Sequence, residues 1–310
     1  MGKEKHRNHL VPQFYLSQWE NYDNKLSTYE LVHKVPEFKT SNEICYIKDF
    51  YDDDTTDEIE DYIAVIEDRI SKEYPRIINY LNTINQNPNL SWIPTVSEED
   101  KRIIFQFLIL QQIRTITYWK MQDKNKYNTP PTIYDEILLA KNNVYKIKNI
   151  MDNVDDYIQK FQNCYQCIIR TDSQHTFWTS SNPVHYGNYN NLLQPTDEIL
   201  QIPKNYDTIM LPLSPTLKLI ITFNNSYIDT PIPPGKLIVL PINYVKHDNR
   251  FNYEKIMNAY NFALLQGHEA QASLKQSERN DIRNTFFYIV SKRFSEENKK
   301  LLKTINVIHN

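Results

Sequence analysis

The chain has 310 residues and a formal net charge of −3, with 40% hydrophobic and 24% charged side chains. These are values of a globular protein, and the length allows one large domain or two smaller ones. The near-neutral charge argues against a chain-wide basic surface for duplex DNA. Glycine occurs only 4 times and forms no GxGxxG, GxxxxGK[ST] or GxSxG pattern. Rossmann nucleotide-binding folds, P-loop enzymes and α/β-hydrolases are therefore disfavoured.

The N-terminal region predicts a β-hairpin. Residues 11–19 and 26–32 are rich in β-forming side chains and flank a polar turn with Asn and Asp. We therefore expect an N-terminal hairpin over residues 10–35.

A helical part is predicted over residues 55–165. Isoleucines repeat at helical spacing over residues 59–70, and Pro75 is expected to end or kink this helix. A capping-box-like sequence starts a second helix over about residues 97–122, which is apolar on nearly every face and therefore buried. A third helical stretch covers about residues 132–164.

A strand-rich part over residues 166–241 and C-terminal helices over residues 243–303 complete the chain. The strands are short, β-rich and separated by proline-rich turns. The order of hairpin, helices, strands and helices predicts a single α+β domain over residues 1–310. Its mostly antiparallel sheet would pack against long, largely buried helices.

The cysteine content and the N-terminus favour a reducing cytoplasm. Cys45, Cys164 and Cys167 are too few for a disulfide scaffold. The N-terminus lacks the apolar stretch of a secretory signal, and no run approaches the ~18 apolar residues of a membrane span. We therefore expect a cytoplasmic protein with no membrane partner. The CxxC pair of Cys164 and Cys167 has no second pair at ligand spacing, so we expect no metal site. The sequence indicates neither a cofactor nor an oligomeric state.

Five short segments, spread over about residues 8–270, carry a recurring family pattern. They are His9–Leu16 (HLVPQFYL), Ile59–Glu67, Phe107–Thr115 with Gln111 and Arg114, Phe177–Val184 (FWTSSNPV) and Pro212–Pro215. In this order they resemble the bacterial domain-of-unknown-function family number 4238, and the first and fourth are the specific ones. We refer to them below as the family segments.

The resemblance implies a bacterial accessory protein, with a role in toxicity or phage defence, and it implies no particular reaction. The family pattern leads us to expect Thr-Ser-Asp-Asn-Pro, but Ser181 stands at the position of the Asp. If that Asp is a catalytic carboxylate, this chain has lost it, which argues against carboxylate or metal chemistry.

His9 and Gln13 flank a proline-stiffened segment near the N-terminus. His9 is a candidate general acid or base at neutral pH, and Gln13 is a candidate hydrogen-bond donor to a substrate. The alternative is that both side chains satisfy backbone groups where the N-terminal segment docks.

Gln111 and Arg114 stand three residues apart and share one face of an otherwise apolar helix. A buried Arg114 requires a partner, either a carboxylate such as Glu60 or Glu67, or an anionic ligand such as phosphate. The internal ion pair is the more common solution.

Thr179 and Asn182 lie where a predicted strand enters a turn. Their short polar side chains are suited to binding an oxyanion or a ribose, and they equally suit a hydrogen-bonded turn. We regard both residues as candidates for substrate binding.

These residues lead to a functional hypothesis and to an alternative from another class. The hypothesis is an intracellular enzyme that acts on a phosphate-bearing substrate, as a nuclease or phosphodiesterase, with a nucleic acid or nucleotide as partner. Arg114 would bind phosphate and His9 would transfer a proton, while Gln13, Gln111, Thr179 and Asn182 would orient the substrate. The alternative is a non-catalytic interaction or ligand-binding module.

Overall fold

The structure is a computed structural model that describes eleven ranges and one single residue. They are residues 7–30, 35–48, 50–51, 58–84, 94–115, 140–170, 177, 179–181, 183–187, 208–222, 233–241 and 287–290. Helices and mostly antiparallel sheets occur together in these residues. The α+β class predicted from the sequence is therefore confirmed, whereas the division into domains stays a prediction.

The described residues contain five α-helices and eleven strands. The helices are α1 (Gln13–Leu16), α2 (Glu58–Thr83), α3 (Glu98–Ile113), α4 (Lys146–Asp152) and α5 (Val154–Lys160). The strands are β1 (Arg7–His9), β2 (Leu26–Glu30), β3 (Val35–Lys39), β4 (Tyr46–Lys48), β5 (Tyr165–Arg170), β6 (Thr179–Ser180), β7 (His185–Gly187), β8 (Thr208–Ser214), β9 (Leu217–Thr222), β10 (Leu237–Pro241) and β11 (Phe287–Val290).

The strands form three sheets in the described part of the chain. A five-stranded sheet has the order β10-β5-β9-β8-β7, a four-stranded sheet has the order β3-β2-β11-β6, and β1 pairs with β4. Only the β10–β5 pair is parallel. Every residue of β8 and β9 is buried, so this sheet forms part of the hydrophobic core. The strands expected within residues 166–241 are thus confirmed where they are described.

The strand predicted over residues 11–19 is wrong. This stretch forms α1 and a 3-10 turn at Ser17–Trp19, and the hairpin consists of β2 and β3 instead. Pro12 stands immediately before the helix, with φ of −62°. Tyr15, Leu16 and Trp19 are all buried, a spacing that brings three side chains to one face of a helix and not of a strand.

The C-terminal helices predicted over residues 243–303 are contradicted at one place. Residues 287–290 form β11, which pairs antiparallel with both β2 and β6. The sequence Phe-Tyr-Ile-Val consists of aromatic and β-branched residues, which favour strands. Pairing with β2 on one side and β6 on the other supplies main-chain hydrogen bonds that stabilise this segment as a strand. The rest of the predicted helical region lies outside the described residues.

Helix α2 continues through Pro75 and ends at Thr83, so Pro75 does not end it. Its buried stripe includes Ile63, Ile66 and Ile70, as the isoleucine spacing predicts. Tyr74 is buried too, and its hydroxyl donates to the carbonyl of Leu213 at 2.7 Å, which joins α2 to β8.

Replacing Pro75 by alanine is expected to stabilise the protein. Proline inside a helix removes one hydrogen bond and costs ~3 kcal/mol, whereas alanine loses up to ~1 kcal/mol through the freer unfolded chain. Pro75 is exposed, so no packing is lost. We expect a gain of about 2 kcal/mol in the free energy of urea unfolding. A loss of stability would show that the proline geometry is required by the packing of α2.

Helix α3 forms the centre of the described helices. The Ser97 hydroxyl accepts from the backbone N–H of Asp100 at 3.1 Å, which confirms the predicted start. From Ile103 to Ile113 every residue is buried, as the apolar sequence indicates. The helix contacts α2, α4 and α5.

Helix α3 ends at Ile113, with Arg114 as its C-cap, so the predicted end near residue 122 is wrong. The Thr115 hydroxyl donates to the carbonyl of Gln112 at 2.9 Å and satisfies one of the carbonyl groups left at the helix end.

Candidate functional site

The C-terminal end of α3 binds the N-terminal segment of the chain. The amide Nε2 of Gln111 donates to the carbonyl of Leu10 at 2.9 Å, and an Nη2 N–H of Arg114 donates to the carbonyl of His9. Since the two donors stand three residues apart on one helix, they reach two successive carbonyl groups. The Leu10 N–H in turn donates to the carbonyl of Cys45 at 2.8 Å. The backbone around His9 is therefore bound from both sides.

Arg114 is buried and bound by protein groups. Its Nη1 forms an ion pair with the carboxylate of Glu67, and its Nε donates to the Tyr51 hydroxyl at 2.7 Å. Burial acts to lower the pKa of Arg114, but the charge of Glu67 and the contact with Tyr51 raise it above its ordinary value. Of the partners considered for Arg114, a carboxylate, Glu67, is the one present. Its binding of phosphate stays a prediction.

His9 lies at the edge of this cluster, partly exposed on β1. Its Nε2 is nevertheless buried, and it has no hydrogen-bond partner among the described residues. Burial lowers the pKa of His9, and the charge of Arg114 lowers it further, whereas Glu67 and the backbone of Ser41 act in the opposite direction. The imidazole is therefore held predominantly neutral at pH 7.

Two exposed polar side chains, Arg7 and Gln13, flank His9 along the chain and are called its polar rim below. Arg7 is exposed, with its guanidinium carbon 5.0 Å from the centroid of the Tyr46 ring, and its charge also lowers the pKa of His9. The exposed Gln13 donates from Nε2 to the Oδ1 of Asn42 at 2.6 Å. Two guanidinium groups and one carboxylate thus act on His9, and this balance favours an anion.

Thr179 belongs to a second, fully buried contact. The hydroxyl of Tyr15 donates to the carbonyl of Pro212 at 2.8 Å and lies 2.6 Å from the Thr179 hydroxyl. Because Tyr15 has one hydroxyl proton, Thr179 is the donor in the second bond. Ser181, at the position where Asp is expected, is buried just after β6.

The structure brings some of the predicted site residues together and separates others. His9, Gln111 and Arg114 meet in one cluster, and Gln13 lies exposed on the following helix α1. Thr179 is bound to Tyr15 in the core. Asn182 lies outside the described residues.

Sequence reasoning missed Arg7 and Tyr51 and did not select Glu67 over Glu60. Arg7 belongs to a short basic N-terminal stretch, which was a signal for an exposed cation. Glu67 ends the second family segment. Nothing in the local sequence marks Tyr51 as a partner of Arg114, since 63 positions separate them along the chain.

The cysteines are free thiols in the core. Burial raises the pKa of Cys164 to about 11 and that of Cys167 to about 12, so neither is a reactive thiolate at pH 7. Among the described residues, no three His, Cys, Asp or Glu side chains are grouped as metal ligands. None of the described helices has the length and apolar character needed to cross a membrane.

Comparison with known protein families gives a match over nearly the whole chain. The family described as "Protein of unknown function (DUF4238)" matches residues 7–308, which is essentially the whole chain. None of the curated proteins and none of the solved structures matches. The resemblance inferred from the family segments is confirmed.

Proposed function

This chain belongs to the DUF4238 family, and we propose that it is an enzyme that acts on a phosphate-bearing substrate, as a nuclease or phosphodiesterase. The observation that carries the proposal is the imidazole of His9, whose buried Nε2 lacks a partner among the described residues. A buried nitrogen that is left unpaired costs free energy, about 1–3 kcal/mol, and a catalytic role is one explanation for such a group.

Proton transfer is the chemistry that His9 supports. The lowered pKa keeps the imidazole in its basic form at neutral pH. In this form it can accept a proton from a water or a hydroxyl that attacks phosphorus. The hydrogen bond from Arg114 to the carbonyl of His9 keeps the backbone in place during the transfer.

A phosphate is the substrate group that the charges favour. Arg7 is the exposed guanidinium beside His9, and a guanidinium matches the geometry of phosphate oxygens. Gln13 offers an exposed amide on the same rim. We propose a nucleic acid or a nucleotide as the substrate and the bacterial cytoplasm as its place, where the three free cysteines would stay reduced.

Replacing His9 by alanine is expected to lower the rate of phosphodiester hydrolysis strongly. Loss of a general base lowers kcat by about 10²- to 10⁴-fold. The purified full chain would be assayed on bis-p-nitrophenyl phosphate and on labelled single-stranded DNA and RNA, with and without divalent cations. The control is Arg102→Ala, which removes an exposed arginine paired with Asp155 away from His9.

Two outcomes would contradict the proposal. One is that the wild-type chain cleaves none of these substrates under any condition. The other is that folded His9→Ala cleaves at the wild-type rate. Wild type and His9→Ala would also be expressed in bacteria. Measurement of growth and of nucleic-acid integrity then tests the expected role in defence or toxicity.

A non-catalytic interaction module is the second candidate, and a specific observation favours it. Gln111, Arg114 and Thr179 all form hydrogen bonds within the protein. These bonds by themselves explain why polar side chains lie in the core. Under this candidate His9→Ala retains partner binding and the chain has no hydrolytic activity.

A further inference from the structure

We propose that Tyr51 and Glu67 are positioning residues for His9, acting through Arg114. The inference rests on the proposed function for the role of His9, while the contacts that carry it are independent of any reaction. Neither residue lies in the N-terminal strand, so each reaches the site from another element.

Tyr51 closes a ring of hydrogen bonds around β1. The Oδ1 of Asn8 accepts from the backbone N–H of Phe50 at 2.6 Å and of Tyr51 at 3.3 Å. The Tyr51 hydroxyl accepts from Arg114, and Arg114 donates to the carbonyl of His9, the neighbour of Asn8. Tyr51 therefore holds β1 at two successive residues.

The environment of Tyr51 fits this role. Its side chain is buried, and burial raises its pKa to about 12, so the hydroxyl stays protonated. The guanidinium carbon of Arg114 lies 5.7 Å from the centroid of the Tyr51 ring. A neutral acceptor and an aromatic face thus bind the cation without adding a charge.

Glu67 supplies the charge that compensates Arg114. It lies on α2, its side chain is 27% exposed, and its carboxylate pairs with the buried Nη1 of Arg114. Among the described residues, the charged groups that act on His9 are Arg114, Glu67 and Arg7, and Glu67 is the anion of these three. Its removal would leave two cations beside the imidazole.

The experiment measures the titration of His9 by NMR in the full chain, without substrate. The Cε1–H signal of His9 is assigned by its disappearance in His9→Gln. In Glu67→Gln the midpoint of the His9 titration is expected to fall by about 0.5 pH unit or more. The reason is that a nearby opposite charge raises the pKa of a histidine by about that much or more. The control is Asp68→Asn, which removes the neighbouring exposed carboxylate that pairs with Lys72 and should leave the midpoint unchanged. An unchanged midpoint in Glu67→Gln would overturn the proposal.

Tyr51→Phe tests the positioning role of Tyr51, and it still tests the proposal if Glu67→Gln does not fold. Loss of a hydrogen bond to a charged group should lower the protection of β1 amides from hydrogen exchange by about tenfold. Amides of β9 serve as the internal reference, and Tyr62→Phe, which removes an exposed bond to Asp152, is the control. Equal protection of β1 in Tyr51→Phe and wild type would overturn the proposal.

The activity assay separates the two proposals. If the chain hydrolyses a phosphodiester, both variants should lower kcat about tenfold and leave KM nearly unchanged, as expected for the loss of one positioning contact. If wild type lacks activity, the proposed function fails, while the titration and the exchange data still decide whether Tyr51 and Glu67 position His9.

Discussion

Arg114→Ala is expected to destabilise the protein by about 3 to 5 kcal/mol, because breaking a buried ion pair leaves its partner uncompensated. The substitution removes three hydrogen bonds at once, to Glu67, Tyr51 and the carbonyl of His9. It also leaves a cavity in the core, because the Arg114 side chain is only 2% exposed. Urea unfolding followed by circular dichroism measures the effect.

A matched control separates this effect from the general loss of an arginine. Arg102→Ala removes two hydrogen bonds to the carboxylate of Asp155. Because both side chains are exposed, the free energy of unfolding should fall by at most about 1 kcal/mol. If Arg114→Ala is as stable as this control but no longer binds a phosphate-bearing substrate, Arg114 is a ligand residue, as the sequence-based hypothesis states. A large loss of stability supports the structural role.

Tyr15→Ala is expected to cost about 3 to 5 kcal/mol, the range for truncating a large buried aromatic side chain. The ring is fully buried, with centroid distances of 4.8 Å to Trp19 and 5.2 Å to Phe107. Its hydroxyl joins Thr179 to the carbonyl of Pro212. The loss therefore affects the packing and a buried hydrogen-bonded junction together, and thermal and urea unfolding measure it.

Two further variants divide the effect of Tyr15 into its parts. Tyr15→Phe keeps the ring and should cost about 1 to 3 kcal/mol, because it removes the hydroxyl that binds two buried polar groups. Tyr145→Ala removes a tyrosine that is 63% exposed and should change stability by about 0.5 kcal/mol or less. If Tyr15→Phe is as stable as wild type, the hydroxyl does not hold this junction.

The family segments meet at the N-terminal one. Within His9–Leu16, the carbonyls of His9 and Leu10 are bound by the third segment, and Tyr15 contacts the fourth and the fifth. Glu67 of the second segment joins the same cluster through Arg114. The five segments thus belong to one connected network of hydrogen bonds.

The local pattern of the chain was enough to predict several elements. The isoleucine stripe of α2, the buried faces of α3 with its Ser97 cap, and the strands β5, β8, β9 and β10 all follow from side-chain periodicity and composition. These signals are local, since a periodic apolar face fixes which secondary structure can bury it. The family resemblance was likewise inferred from the sequence alone, from the residues of the family segments and their order along the chain.

Other features of the fold and of the site depend on contacts between residues that are distant along the chain. The choice of Glu67 over Glu60 as the partner of Arg114 depends on how α2 packs against α3, 47 positions away along the chain. Residues 287–290 form a strand because β2 and β6 offer hydrogen bonds on both sides, and no property of that stretch alone announces these neighbours. The unpaired nitrogen of His9 is likewise a property of the assembled cluster. Sequence periodicity determines which face of an element is buried, whereas the partner of a polar group depends on which surfaces meet.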